Sequence, residues 1–156
     1  MAGGVTWTRP NVQKNNKGVG DFNQAHRFTV EMDGVLVGGI HTVEGIEHET
    51  EVIEAHDGEN HETQFAPGRQ KPGVIKFTKD FTSTKEFITW RQTVIDGKTQ
   101  RKTVSVVLLT PDGTESIRYN FYEMWPSKYI GPSLNARNSA NATESIECRF
   151  ERMEMK

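Results

Sequence analysis

The stretch NFYEMWPSKYIGPSLNA, from Asn120 to Ala136, groups four aromatic side chains and then ends in proline, glycine, serine and asparagine. Aromatic residues favour β-strands, whereas proline lacks the backbone N–H that pairs one strand with the next. The pattern therefore predicts that a strand ends at Trp125-Pro126, with Trp125 and Tyr129 anchored against the core. The chain as far as Asn135 is then expected to lead to the last strand.

Alternation of apolar and polar residues predicts strands elsewhere in the chain. Residues 27–32, RFTVEM, alternate in this way, and the Asp-Gly pair that follows is typical of a hairpin turn into a return strand at residues 35–40, VLVGGI. Residues 144–151, ESIECRFE, alternate again and place Cys148 with its apolar neighbours on the inward face. These segments have the pattern of half-buried strands in an antiparallel sheet.

Two further regions complete the predicted sheets. Residues 103–109, TVSVVLL, are apolar on both faces, as in a central strand, and Pro-Asp-Gly at 111–113 is expected to turn the chain into ESIRYNFYEM. Glu49 and Glu51 lie on one face of another predicted strand. The polar, turn-rich segment Glu59–Pro72 after it is predicted to be a long loop.

One helix is predicted after Ser83. Ser83 and Glu86 match the S-x-x-E capping box, in which each side chain satisfies a backbone N–H at the helix start. Asp96-Gly97 is expected to end the helix, because glycine readily takes the left-handed conformation. Between these ends, one apolar stripe follows at spacings of three and four residues: Phe87, Trp90, Val94. The residues alone thus predict a mainly β, α+β domain with one packed helix.

Length and composition indicate a single domain. Residues 1–21 show no periodic pattern and are predicted to be a flexible or partner-ordered arm, which leaves residues 22–156 as the domain. The net charge of −2 gives no reason to expect a nucleic-acid binder, and a single cysteine fits folding in a reducing compartment. No apolar run is long enough to span a membrane and the N-terminus lacks a secretory signal pattern, so we expect no membrane insertion.

No grouping of side chains predicts an enzyme. His56 and His61 lie near Glu59 and Glu62, but this spacing matches no strong metal-ligand motif, and a solvated loop is the favoured interpretation. The two carboxylates on the strand before this loop lack the closed pocket that acid–base catalysis needs. We therefore predict no catalytic residues, no metal-binding residues and no cofactor.

An ordered set of residues extends through most of the chain: Glu49, Glu51, Pro72, Gly73, Trp90, Asp96, Gly97, Asn120, Trp125, Pro126, Tyr129, Pro132 and Asn135. This set resembles the inner tail-tube protein family of contractile phage tails and phage-derived contractile injection systems. The similarity extends from about Phe28 to Phe150, and its most specific part is the Asn120–Asn135 segment. The N-terminal arm, which includes Trp7, does not match the family pattern.

The resemblance implies a fold of two curled antiparallel sheets that form a small barrel or sandwich, with the helix packed outside. It implies hexameric rings in which strands of neighbouring subunits join into one β-barrel around a channel. The rings then stack into a rigid hollow tube. Glu49, Glu51 and the Glu59–Pro72 segment are the implied contacts between subunits or rings.

The resemblance also implies the partners of the chain. These are further copies of itself, a sheath protein around the tube, a baseplate or spike, a tube terminator, and cargo in the lumen. The cargo is protein effector in an injection system and DNA in a phage, and we favour an injection system. Assembly is expected in the bacterial cytoplasm without a signal peptide, followed by incorporation into a phage tail or a tail-like particle that can be released from the cell.

Two alternatives remain at this point. A haemolysin-coregulated-type ring of type VI secretion shares the expected fold, although the Trp125-Pro126 segment is not associated with that family. A small β-barrel that binds an apolar ligand would instead be a soluble monomer with an interior cavity. Measurement of the oligomeric state separates the monomer from the ring.

Overall fold

Ten strands and one helix make up the part of the chain that the computed structural model describes, residues 27–56, 58 and 62–156. In chain order the elements are β1 (Phe28–Met32), β2 (Val35–Val37), β3 (Ile40–Glu44), β4 (Glu49–Ala55), β5 (Gln64–Lys71), β6 (Gly73–Asp80), α1 (Glu86–Ile95), β7 (Lys102–Leu109), β8 (Glu115–Ile130), β9 (Thr143–Phe150) and β10 (Arg152–Met155). The predicted arm, residues 1–21, lies outside this described part. The mainly β composition with one described helix confirms the predicted α+β class.

The longest strand, β8, belongs to two antiparallel sheets. Its first part pairs with β7 on one side and β10 on the other, in a sheet ordered β2-β1-β7-β8-β10. Its last part pairs with β9 in a second sheet ordered β8-β9-β6-β3. Glu123 has a φ of 55° near the change of partner, where the register with β7 also shifts. A bulge of this kind bends a strand, so that one segment serves both sheets.

The prediction that the strand ends at Trp125-Pro126 is wrong, because β8 continues to Ile130. Trp125 pairs with Arg149, and Pro126 pairs with Cys148. Among the described strands, only β9 pairs with this last part of β8, which is therefore the edge of the second sheet. Proline is tolerated at such an edge, where a missing N–H need not break a ladder bond, and the register shift just after Pro126 accommodates its ring.

β9 and β10 together pair with most of the length of β8. The chain bends at Glu151 after β9, and residues 152–155 of β10 then pair with residues 119–122 of β8. The prediction that residues 144–151 form the last strand is therefore wrong, because β10 follows them. The predicted inward face is confirmed by three buried side chains: Ile146, Cys148 and Phe150.

The hydrophobic core is built from both sheets and the helix. Its buried side chains are Val30, Met32, Ile75, Phe77, Phe87, Trp90, Val104, Val106, Phe121, Met124, Ile146, Cys148 and Phe150. The rings of Phe121 and Phe150 meet edge to face, with 4.9 Å between their centroids, and so join the two sheets. Burial raises the pKa of the Cys148 thiol, which keeps this group neutral and unreactive.

The helix α1 is predicted correctly at its end but not at its start. Gly97 has a φ of +74° and donates its N–H to the carbonyl of Val94, which confirms it as the residue that ends the helix. At the start, Lys85 is the N-cap residue and makes no side-chain cap hydrogen bond, so the predicted capping box is wrong. The physical reason is the position of the helix start, because Glu86 is the first helical residue and not the third that a capping box needs, and its carboxylate lies 3.5 Å from the Lys79 ammonium.

The predicted long loop, Glu59–Pro72, is also wrong over most of its length. Residues 64–71 form β5 and pair with β4 in a two-stranded sheet of their own. The segment resembles a loop in composition because nearly all its residues are exposed to water, and Pro67 lies beside a shift in register. Residues 57 and 59–61 lie outside the described part.

The sheets of the described residues do not close into a barrel. The sheet path is open, with β2 at one end and β3 at the other. The predicted return strand at residues 35–40 is divided between these two elements by a turn at Gly38-Gly39, where Gly39 has a φ of +82°. No helix in the described residues is long and apolar enough to span a membrane.

Candidate assembly surfaces

The hairpin of β4 and β5 projects from the domain with both faces exposed. These two strands pair with each other and with no other described strand. Val52 lies opposite Pro67, and Phe65 lies two residues before Pro67, so these three apolar side chains share one face. Val52 and Phe65 are 64% and 66% exposed. An isolated two-stranded hairpin is marginally stable in water, and the exposed apolar face of this one is a candidate contact surface.

The base of the hairpin contains four of the residues singled out from the sequence. The ammonium of Lys71 donates to Glu49 Oε1 at 2.9 Å, and this hydrogen bond raises the pKa of Lys71. Glu51 lies at the register shift on the same strand, and Pro72-Gly73 joins the hairpin to β6. Glu49 and Glu51 are both exposed, as contacts with a neighbour require.

Gly73 is required by close packing at this base. A Cβ atom on Gly73 would lie 2.2 Å from Cζ of the buried Phe150 ring, which is far inside van der Waals contact. The sequence resemblance singles out Gly73, and the structure supplies this physical reason.

We expect Gly73→Ala to lower the free energy of unfolding by about 3 kcal/mol, the upper end of the usual cost of overpacking a core. Urea unfolding followed by circular dichroism measures the change. Gly38→Ala is the matched control, because a Cβ there meets no atom within 4 Å. A second variant that also carries Phe150→Leu should recover part of the loss. Equal stability of Gly73→Ala and Gly38→Ala would contradict the packing argument.

A buried ionic network lies at the opposite end of β6. Lys79 and Glu144 are cross-strand partners with side chains 2% and 3% exposed. The Lys79 ammonium lies 3.4 Å from Glu144 Oε1, 3.5 Å from Glu86 Oε2 and 4.5 Å from the centroid of the Phe87 ring. The hydroxyl of Tyr129 donates to Glu144 Oε2 at 2.8 Å. Burial, and then this hydrogen bond, raise the pKa of Tyr129 to about 12, so the phenol remains a donor at physiological pH.

Sequence reasoning missed the Lys79–Glu144 pair, although one signal for it was present. Lys79 occupies the inward position of an alternating strand, two residues after the buried Phe77. A lysine in such a position is almost never left unpaired, so a buried carboxylate partner was to be expected.

An open cleft of about 540 Å³ adjoins this network, between the start of α1 and the end of β8. Its apolar wall is formed by Phe81, Ile88, Tyr129 and Pro132, and Lys85 lies on its rim. Phe81 and Ile88 are both exposed although they are large and apolar. We call this feature the helix-start cleft.

Both sheets also have open edges. β2 pairs only with β1, and β3 pairs only with β6, among the described strands. Leu36 on β2 is 62% exposed. Edge strands present unpaired N–H and C=O groups, so exposed apolar residues along such an edge indicate a surface that another chain covers.

Residues 24–154 match the model of a protein family described as T4-like virus tail tube protein gp19. The chain belongs to this family. The match covers most of the chain and confirms the resemblance derived from the sequence. No curated protein sequence is significantly similar to the chain.

Solved structures support the same tail-tube fold. One is a chain of the sheath–tube complex of an extracellular contractile injection system, PVC, in the extended state, with a TM-score of 0.80 and 21% identity over 88% of this chain and 93% of that chain. Another is a chain of the tube-terminating cap of the anti-feeding prophage, with a TM-score of 0.82 and 19% identity over 94% and 98%. Hcp1 from Flavobacterium johnsoniae is less similar, with a TM-score of 0.51 and 15% identity over 83% and 94%.

The remaining residues singled out from the sequence have local structural roles in this tail-tube fold. The amide of Asn120 is buried and accepts a hydrogen bond from the Ser105 hydroxyl at 2.7 Å. The buried indole of Trp90 donates a hydrogen bond of 2.8 Å to the carbonyl of Gln100. Asn135 Oδ1 accepts a hydrogen bond from the backbone of Arg137, which stabilises the connection between β8 and β9.

The predicted motif residues are therefore not one site. Tyr129 and Pro132 meet in the helix-start cleft, whereas Glu49, Pro72 and Gly73 meet at the hairpin base. In the described residues no group of three or more histidine, cysteine or carboxylate side chains is arranged to hold a metal ion. Glu59 and His61, two of the residues considered for a metal site, lie outside the described part.

Proposed function

We propose that this chain is the subunit of the inner tube of a contractile injection system or contractile phage tail. Six copies form a ring, the strands of neighbouring copies pair into a continuous barrel around a channel, and the rings stack into a rigid hollow tube. Membership of the tail-tube family supports this role. The observation that carries the assembly is the set of surfaces left uncovered by the described fold: the open edges of its sheets and one hairpin that pairs with no other strand.

Ring closure explains why such edges are tolerated. An exposed edge strand can add further strands without limit, which leads to aggregation. In a closed ring each edge meets the neighbouring copy, so that no edge remains unpaired. The open sheet path of one chain then becomes part of a barrel that only the assembly completes.

The partners follow from the place of such a subunit in the particle. A sheath surrounds the tube and drives it through a target envelope on contraction, a baseplate or spike lies at one end, and a terminator lies at the other. Similar folds occur in a sheath–tube complex, a sheath and tube terminator assembly, and a baseplate, which supports these partners. The proposed role is structural rather than enzymatic.

The fold favours a headless injection system over a DNA-conducting tail. Its TM-scores are 0.80 to 0.82 against the injection-system and prophage-cap chains, and 0.59 against a chain of a gene transfer agent particle. We therefore propose protein effectors as the cargo, with DNA as the cargo in the phage alternative. Assembly takes place in the bacterial cytoplasm, and the finished particle is released.

The two other functions considered from the sequence have less support. The type VI ring alternative rests on structures with TM-scores of 0.51 and 0.54. The alternative of a ligand-binding barrel requires a closed barrel, whereas the sheet path of the described residues is open.

Electron microscopy of the purified full chain tests the proposal. Negative-stain images at increasing protein concentration should show six-fold rings and then tubes, and sedimentation should shift from small to large species over the same range. A single species of monomer mass at the highest concentration, with no rings on the grid, would contradict it.

A further inference from the structure

The hairpin and the helix-start cleft lie at opposite ends of the second sheet. The base of the hairpin lies at one end of β6, beside Gly73. Phe81 of the cleft directly follows Asp80, the last residue at the other end of β6. β6 has eight residues, which corresponds to about 25 Å along the sheet. A contact between these two surfaces therefore joins different regions of two copies, head to tail.

The two surfaces match in chemistry. The hairpin presents an apolar face of Val52, Phe65 and Pro67, and the cleft presents an apolar wall that includes Phe81 and Ile88. Each surface exposes large apolar side chains that no described residue covers, so their association removes both from water.

The charges at the margins of these surfaces also match. Glu54 lies directly opposite Phe65 on the apolar face of the hairpin, and Lys85 lies on the rim of the cleft. Neither side chain forms a salt bridge with another residue in the described part of the chain. Opposite charges at the border of an apolar contact fix its orientation and disfavour wrong pairings.

We propose that the apolar face of the β4–β5 hairpin of one copy binds in the helix-start cleft of a second copy. The contact is heterologous, so each copy offers one hairpin and one cleft, and repetition adds copies in one direction. This inference rests on the proposed tube function and deepens it, because it names the receptor surface for the hairpin.

Disulfide crosslinking of the full chain tests the contact. One chain carries Phe65→Cys, and a second chain, made larger by a tag, carries Ile88→Cys. Mixed and assembled under mild oxidation, they should form a disulfide-linked pair of the summed mass. The buried native Cys148, whose thiol pKa is raised, should not interfere. Ile95→Cys replaces Ile88→Cys in the matched control, because Ile95 is exposed on the same helix but outside the cleft.

A chain with both Phe65→Cys and Ile88→Cys distinguishes the geometry. A heterologous contact predicts a ladder of crosslinked dimers, trimers and larger species in denaturing, non-reducing gels. A band that stops at the dimer, or a crosslink within one chain, would overturn the head-to-tail contact. Equal crosslinking of the Ile95→Cys control would overturn the assignment to the cleft.

Replacement of two apolar residues across the proposed contact by an oppositely charged pair gives a second, independent test. Phe65→Lys and Ile88→Glu should each raise the protein concentration needed for tube formation at least tenfold, and the double variant should recover most of that loss. Absence of recovery, with both single variants folded by circular dichroism, would overturn the pairing. If the unmodified chain forms tubes but neither crosslink nor recovery is seen, this inference fails and the proposed function stands. If no rings or tubes form at all, the proposed function fails.

Discussion

Lys79→Met should lower the free energy of unfolding by about 3–5 kcal/mol, because it leaves the Glu144 carboxylate buried without its cation. Among the residues that the structure describes, Tyr129 alone donates a hydrogen bond to this carboxylate, and none donates one to its Oε1 atom. A buried charge without a counterion is among the most destabilising changes that one substitution can cause. Urea unfolding at neutral pH measures the loss as a shift in midpoint with an unchanged slope.

The partner variants separate loss of a pair from loss of volume. Glu144→Gln should cost less than Lys79→Met, since the Lys79 ammonium keeps the half-exposed Glu86 at 3.5 Å. The double variant with Lys79→Met and Glu144→Gln should be within about 1 kcal/mol of the original chain, because no unpaired charge is buried and Tyr129 keeps an acceptor. Losses that simply add in the double variant would contradict the ion-pair explanation.

Leu36→Pro should raise the protein concentration needed for tube formation while the chain remains folded. Met32 and Val35 flank a two-residue turn and form the first hydrogen-bonded pair of the β1–β2 hairpin. Hydrogen-bonded and non-bonded pairs alternate, so the N–H and C=O of Leu36 point to the open edge of the sheet. Proline at this position removes an outward donor and leaves the pairing between β1 and β2 intact.

The expected effect on assembly follows from the loss at the edge contact of each copy. One lost edge hydrogen bond costs about 1 kcal/mol at each contact, and the proline ring adds a steric cost. Each copy that joins a ring loses this much at its edge contact, and every 1.4 kcal/mol is a factor of ten in an equilibrium constant, so the concentration at which tubes appear should rise about fivefold from the hydrogen bond and further from the steric cost. Light scattering against concentration measures this.

Two control variants make the result specific to the open edge. Leu36→Thr keeps the N–H and should still form tubes. Val37→Pro removes a bond within the hairpin and should instead lower the stability of the fold. Normal tube formation by Leu36→Pro would show that this edge does not pair with a neighbour.

The sequence predicted correctly those elements in which the local residue pattern and the environment in the folded chain favour the same structure. The Asp33-Gly34 turn, the inward face of β9 and the helix end at Gly97 follow from side-chain alternation and from the special backbone conformations of glycine. In each case propensity, burial and turn chemistry favour the same structure, and sequence reasoning is then sufficient.

The elements that were missed depend on the surroundings instead. β5 contains proline, glycine and several polar residues and is exposed on both faces, and composition alone cannot distinguish such a strand from a loop. β8 continues past Pro126 because its last part is a sheet edge, a property of the whole topology. The helix-start cleft is formed by residues up to about 60 positions apart in the chain, so no local pattern predicts it. The roles of Glu49 and Glu51 as contacts between rings stay predictions.

Amide hydrogen exchange tests most directly whether neighbouring copies complete the β-structure of this chain. Exchange is measured for β2, β4 and β5 in the dilute chain and in assembled particles. We expect rapid exchange at the open-edge amides, including that of Leu36, in the dilute chain, and at least tenfold slower exchange after assembly. Equal protection of these amides in both states, or strong protection already in a monomer, would contradict it.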